Sequence, residues 1–214
     1  NYEDPERRFG LVIDEWATWH SNAIREEGLF QRNTMRDAVI VGGCLNSFTN
    51  WADRVVLTST AQAINVLLHV IAVDGRFAWL TPNFYVFEMM RNHVGKEVLA
   101  TSVECPDLSG SEASPGNFPQ LSVSASADSD RTSGVICLVN RHISEPLATI
   151  VSFSDLGVRS ASASLLSTSS PNTFNEPSAP ERVRPKTAEI EVDNGGLRAE
   201  LPPHSVMLLK VELN

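Results

Sequence analysis

The chain has 214 residues, 42% of them apolar and 20% charged, which is enough for one large domain or two small ones and too apolar for wholesale disorder. A formal net charge of −9 argues against nucleic acid as a partner, because such proteins concentrate Lys and Arg on one face; a neutral substrate such as a sugar suits the balance better. The longest apolar stretch, Ile64 to Val73, is broken by Asn65 and His69 and is shorter than the ~20 residues of a membrane span, so no transmembrane helix and no membrane partner are expected.

Asn1 to Arg8 are charged where a signal peptide would carry its apolar core, which leaves the compartment open between cytoplasmic and secreted. Phe9 to Asp14 then reads as a first strand, and Glu15 follows the apolar Leu11, Val12 and Ile13 directly. A carboxylate at the end of such a strand is set where the mouth of a parallel barrel collects catalytic groups. The rival reading is that Asp14 and Glu15 open a surface loop. Met35, Ala38, Val39, Gly42, Leu45 and Phe48 recur at three- and four-residue steps, the stripe of a helix capped by Asn33 or Thr34. A second strand is expected at Arg54 to Thr58. Thr81 before Pro82 starts a second helix with Phe84, Phe87, Met90 and Val94 as its stripe and Gly95 as its stop.

Beyond about Val98 the pattern changes to period two. Leu121 to Ala127, Gly134 to Val139, Ala148 to Phe153 and Ser205 to Leu213 read as strands of an antiparallel sandwich. Ser109 to Pro119 and Ser167 to Pro185, rich in Ser, Pro, Asn and Gly, read as long exposed connections. The division expected is residues 1–97, α/β, and residues 98–214, all-β. Two βα units in the first part cannot close a barrel of eight strands by themselves. Cys44, Cys105 and Cys137 are odd in number and show no CxxC spacing, and the five His form no HxxxH or HExxH pair. Neither a disulfide framework, a metal site nor any cofactor is expected.

Asp4-Pro-Glu-Arg-Arg8, Gly10-Leu-Val-Ile-Asp-Glu-Trp16, Asn33-Thr-Met-Arg-Asp-Ala38, Ala52-Asp-Arg-Val55, Ala61-Gln62 with Asn65-Val-Leu67, and Leu201-Pro-Pro-His-Ser205 together resemble glycoside hydrolase family 51, the α-L-arabinofuranosidases. The six blocks cover essentially the whole chain and only the C-terminal part of the family's pattern. The resemblance implies the end of a (β/α)8 TIM barrel, strands 7 and 8, followed by a β-sandwich. It implies that Glu15 is the nucleophile of a retaining exo-α-L-arabinofuranosidase acting on arabinan or arabinoxylan, with the acid/base carboxyl upstream of this sequence, in the same precursor or in a second chain. A homo-oligomer is compatible with it. The 214 residues alone are expected to show no turnover.

Two further roles carry over. Gln62 matches a glutamine that hydrogen-bonds the furanose, against the rival of an amide capping the next helix; Trp19 matches a tryptophan near the aglycone sugar, against packing of the loop after Glu15. Trp16 reads as a wall beside Glu15, and His20 and Cys44 as structural. Arg8, Asp37, Asp53 and Arg54 read as ion-paired scaffold. Asn175-Glu176-Pro177 spells the triplet that clan A glycosidases, to which the resembled family belongs, carry at the acid/base, yet it follows the nucleophile and sits in a Pro/Ser-rich loop, so it reads as a turn with a solvated Glu. Two alternatives stand beside the arabinofuranosidase: a non-catalytic carbohydrate-binding or structural sandwich with a barrel remnant, and a related glycosidase of other sugar specificity.

Overall fold

The computed structural model describes residues 9–24, 28–111, 114–154, 157–193 and 196–214; Arg8 lies outside them. β1 (Leu11–Trp16) leads through α1 (Met35–Asn50) to β2 (Val55–Thr60), which runs parallel to β1 with Leu11 opposite Val55 and Trp16 opposite Thr60. A parallel pair needs a long crossover, and the helix provides it. Both strands run two residues past their expected ends, so Glu15 stands inside β1 rather than after it.

Helix α1 starts where the sequence places it. The Thr34 backbone N–H and hydroxyl donate to Asp37 Oδ2 at 2.8 and 3.0 Å. The N–H groups of Met35 and Arg36, which have no helical acceptor, donate to Thr173 and Pro171 carbonyls, each at 2.8 Å. The segment expected as an exposed connection after Ser167 therefore packs on the start of α1. Met35, Ala38, Val39 and Gly42 are buried as their spacing predicts, while Leu45 and Phe48 are half-buried. A Cβ at Gly42 would lie 3.0 Å from Val139 Cγ2 and 3.2 Å from Val206 Cγ2, so the helix backbone rests directly on the sheet below.

β3 (Ile71–Asp74) and β4 (Phe77–Leu80) form a hairpin that the sequence reading did not include. It turns on Gly75, at φ +54, and Arg76; glycine first in a two-residue loop is the mirror-type turn that matches strand twist. α2 (Pro82–Met90) follows, with Thr81 before Pro82 as expected. Its buried face is Tyr85, Val86, Met89 and Met90; Phe84 and Phe87 are half-buried and Val94 is 79% exposed. A short 3-10 turn, Arg91–His93, precedes Gly95, whose φ of +79 ends the helical run.

The remainder is antiparallel. β5 (Glu97–Leu99), β8 (Leu121–Ala127), β9 (Ser133–Asn140), β11 (Val158–Leu166), β12 (Lys186–Ala188) and β15 (Ser205–Leu213) form a six-stranded sheet in the order β12-β11-β15-β9-β8-β5. β10 (Leu147–Val151), β13 (Glu191–Asp193) and β14 (Gly196–Leu201) form a second sheet, and β6 (Asp107–Ser111) with β7 (Ser114–Pro119) a separate hairpin that overlaps the segment expected as loop from Ser109. The six-stranded sheet is buried on both faces. Val135, Cys137, Val139, Val206 and Leu208 face the helices, while Ile136, Leu138, Met207, Leu209 and Val211 face the three-stranded sheet. Double-sided burial explains the unbroken apolar run of β9. Each such fully buried Leu or Met contributes about 2 kcal/mol.

The serines of β8 face inward as well. Ser124 Oγ donates to Asn46 Oδ1 at 2.7 Å, and Ser126 Oγ lies 2.8 Å from His93 Nδ1. The polar half of the alternation thus joins helix to sheet by hydrogen bonds in place of facing water.

Candidate active site

Parallel strands leave their sheet at the same end. Glu15 near the end of β1, Trp19 in the segment that follows, and Gln62 just past β2 accordingly share one edge of the β1–β2 pair, the C-terminal one. All three are exposed, Trp19 at 59%, and none is hydrogen-bonded to another among the described residues. Trp16 points to the helices, its ring 5.3 Å from Phe48 at an interplanar angle of 73° and 6.2 Å from Phe87. The register of β1 shifts between Ile13 and Trp16, and within that shift Glu15 is exposed while Trp16 is packed on the helices. Trp16 anchors β1 on the helices; its indole Nε1 is buried without a hydrogen-bond partner among the described residues.

The segment after Glu15 is fixed by a buried carboxylate. Asp37 is fully buried, and its Oδ1 accepts from Thr18 Oγ1 at 3.0 Å and from His20 Nε2 at 2.7 Å. Arg36 Nη2 donates to His20 Nδ1 at 3.2 Å, so the ring carries its proton on Nε2 and donates it to Asp37. Gln31, also buried, donates through Nε2 to the Thr18 carbonyl and hydroxyl, both at 3.1 Å, and accepts the His20 N–H at 3.0 Å. Thr18 and His20 are thus both clamped, and Trp19 between them turns its ring outward. Packing of this loop against the described residues does not account for it.

Gln62 caps no helix, because the β3–β4 hairpin comes next and α2 starts only at Pro82. His20 is structural, as its spacing suggested. Asp37 is scaffold as expected, though held by hydrogen bonds in place of an ion pair, whereas Asp53 and Arg54 are exposed and form no ion pair among the described residues. Thr18 and Gln31 were not singled out from the sequence; no spacing rule marks a glutamine that reaches back across a loop.

Asn175 and Glu176 serve the loop they sit in. Asn175 is buried, donates to the Leu80 and Val183 carbonyls at 3.0 and 2.9 Å, and accepts the Val183 N–H at 2.7 Å. Glu176 pairs with Arg182 at 2.7 Å, and hydrogen bonds from Arg182 and then Ser178 hold its carboxyl below the usual range. A general acid needs the opposite shift. Burial raises the Cys44 thiol and pushes Cys137 up to about 12, so neither is an activated nucleophile. Among the described residues no three His, Cys, Asp or Glu gather to hold a metal ion, and no helix is long and apolar enough to cross a membrane.

The profile of a family described as the α-L-arabinofuranosidase C-terminal domain matches residues 14–205. Over 217 residues the chain is 29% identical to an intracellular exo-α-L-arabinofuranosidase of Bacteroides ovatus, covering 98% of this chain and 41% of that protein. An intracellular exo-α-(1→5)-L-arabinofuranosidase of Bifidobacterium longum is 26% identical over 222 residues, with 90% of this chain and 39% of that protein covered. Among solved structures, a GH51 arabinofuranosidase from Xanthomonas axonopodis pv. citri superposes with a TM-score of 0.86 at 27% identity, covering 95% of this chain and 41% of that one. The chain spans about two fifths of the length of these relatives.

Proposed function

Because the chain belongs to the α-L-arabinofuranosidase C-terminal domain family, of the family 51 glycoside hydrolases, we propose that it supplies the nucleophile half of a retaining exo-α-L-arabinofuranosidase. In this reading β1 and β2 are strands seven and eight of a (β/α)8 barrel within residues 1–97, and residues 98–214 are its C-terminal β-sandwich. A parallel sheet of two strands with open faces does not persist alone. Leu11, Val12, Val56 and Leu57 are 54%, 52%, 64% and 49% exposed, the surface that further barrel strands would cover. Those strands, from the same precursor or a second chain, also bring the acid/base.

The chemistry follows from the position of Glu15. Its carboxylate attacks the anomeric carbon of a terminal arabinofuranose on arabinan or arabinoxylan, while a second carboxyl, about 5 to 5.5 Å away, protonates the leaving oxygen. The glycosyl-enzyme ester is then cleaved by water, which the second carboxylate, now a base, deprotonates. Gln62 hydrogen-bonds the furanose hydroxyls through its amide, and Trp19 packs on the aglycone sugar.

The observation that carries this reading is that Glu15 stands exposed near the C-terminal end of a parallel strand whose following loop is locked by Asp37. A slow fluorinated arabinofuranosyl donor tests it. Incubated with the complete protein, it is expected to add one glycosyl mass to the peptide that contains Glu15. A label on another residue, or an inverted product seen by NMR, contradicts the assignment.

A further inference from the structure

The Asn175-Glu176-Pro177 triplet, which has no part in the chemistry above, closes one side of a cavity of about 610 Å³. Its other walls come from Leu29 to Asn33, which lead from the end of β1 to α1, and from Asn65 to Thr81, which follow the end of β2. The cavity therefore opens among the segments that emerge at the same edge as Glu15. Trp79 and its cross-strand partner Ala72 both line it, so the hairpin turns its indole side inward. Phe30 and Phe174 supply two more rings. Phe30 is backed by the His69 imidazole at 5.4 Å, and Phe174 by the Arg32 guanidinium at 4.2 Å.

The walls are preformed. Asn175 ties the triplet to Leu80 at the end of the hairpin, and Asn65, at φ +57, holds Val73 by two bonds of 2.8 Å. Asn33 Nδ2 donates to the Leu67 carbonyl at 2.9 Å. The charges nearly cancel, with Arg32 set against Asp74 and with Glu176 already paired to Arg182. Burial lowers the His69 pKa and keeps that ring neutral. Aromatic faces, amides and hydroxyls without net charge are the lining that a neutral polyhydroxylated ligand requires, and the volume suits a few sugar units.

We propose that this cavity is a secondary carbohydrate site, separate from the cleavage site, which holds a neutral pentosan chain against Trp79 and Arg32 at the strand edge that bears Glu15. The choice of a pentosan rests on the arabinofuranosidase reading; the site itself does not. The test is affinity electrophoresis of the complete protein in gels containing arabinan or xylan, with kinetics on an aryl arabinofuranoside in parallel. Trp79→Ala and Arg32→Ala are each expected to weaken retardation about tenfold and to raise KM for the polymer while kcat/KM on the aryl glycoside stays unchanged. Trp79→Phe, which keeps a ring, should retain most of the retardation. A protein that is not retarded, or variants retarded as strongly as the parent, overturn the site. A protein that is retarded through Trp79 but cleaves no arabinofuranoside supports the site and overturns the function proposed above.

Discussion

Asp37 is the residue on which the geometry around Glu15 depends most. One buried carboxylate accepts from Thr34, Thr18 and His20, and so joins the first turn of α1 to the loop that carries Trp19. Removing it strands several donors at once, and Asp37→Ala is expected to destabilise the complete protein by about 2–4 kcal/mol, read by chemical denaturation. A loss below about 0.5 kcal/mol, the size of an ordinary surface substitution, would contradict this role. The helix cap was legible in the sequence because it depends on neighbours a few positions away. The clamp was not, because Thr18 and His20 meet Asp37 across a loop whose path no local pattern specifies. Trp16 shows the same limit, since its packing on Phe48 and Phe87 depends on helices far along the chain.

The elements were legible where period and capping agreed. α1 carries both an apolar stripe and the Thr34–Asp37 pair, and β8 and β15 match their expected bounds. The β3–β4 hairpin was missed although Gly75 lies between two short apolar runs, a turn signal hidden by the larger apolar stretch before it. The β6–β7 hairpin leaves no hydrophobic period to read, since each strand holds one large apolar residue, Leu108 and Phe118, among Ser, Gly, Asn and Pro. Two predictions belong at this scale. Gly42→Leu forces a side chain between α1 and Val139 and Val206, and should cost about 1–3 kcal/mol in thermal or denaturant unfolding; an unchanged midpoint would show that the helix does not lie so close.

The second concerns the contact between the turn after α2 and β8. Burial, and then Lys96, lower the His93 pKa from 6.5 to about 4. The folded protein thus holds His93 neutral while the unfolded chain binds a proton below 6.5. The stabilisation is complete above that value and lost as the pH falls to about 4, a change of about 3 kcal/mol. His93→Gln is expected to flatten stability against pH within this window; the same slope in variant and parent would rule His93 out as its source.

At the scale of the whole molecule, the three layers divide unequally between what is closed and what is open. The six-stranded sheet is covered on both faces, whereas the β1–β2 pair exposes Leu11, Val12, Val56 and Leu57. Exposed apolar strands seek partners. Expressed by itself, the 214-residue chain is expected to self-associate, with light scattering that falls when the remaining barrel segment is co-expressed; a stable monomer that binds no hydrophobic dye would contradict that. The antiparallel character from β5 onward was readable because a period of two replaces a helical one near Val98. How tightly the two parts join was not, since the contact depends on Gly42 and on the inward serines, which local composition marks as a weak helix position and a solvent face. The central claim, that Glu15 is the nucleophile, is tested most directly by Glu15→Ala in the complete protein with and without azide. Nearly all turnover of an aryl arabinofuranoside should be lost, and azide, by taking the place of the carboxylate, should restore it with an arabinofuranosyl azide as product. A variant that keeps most of its activity, or one that azide leaves inert, would contradict it.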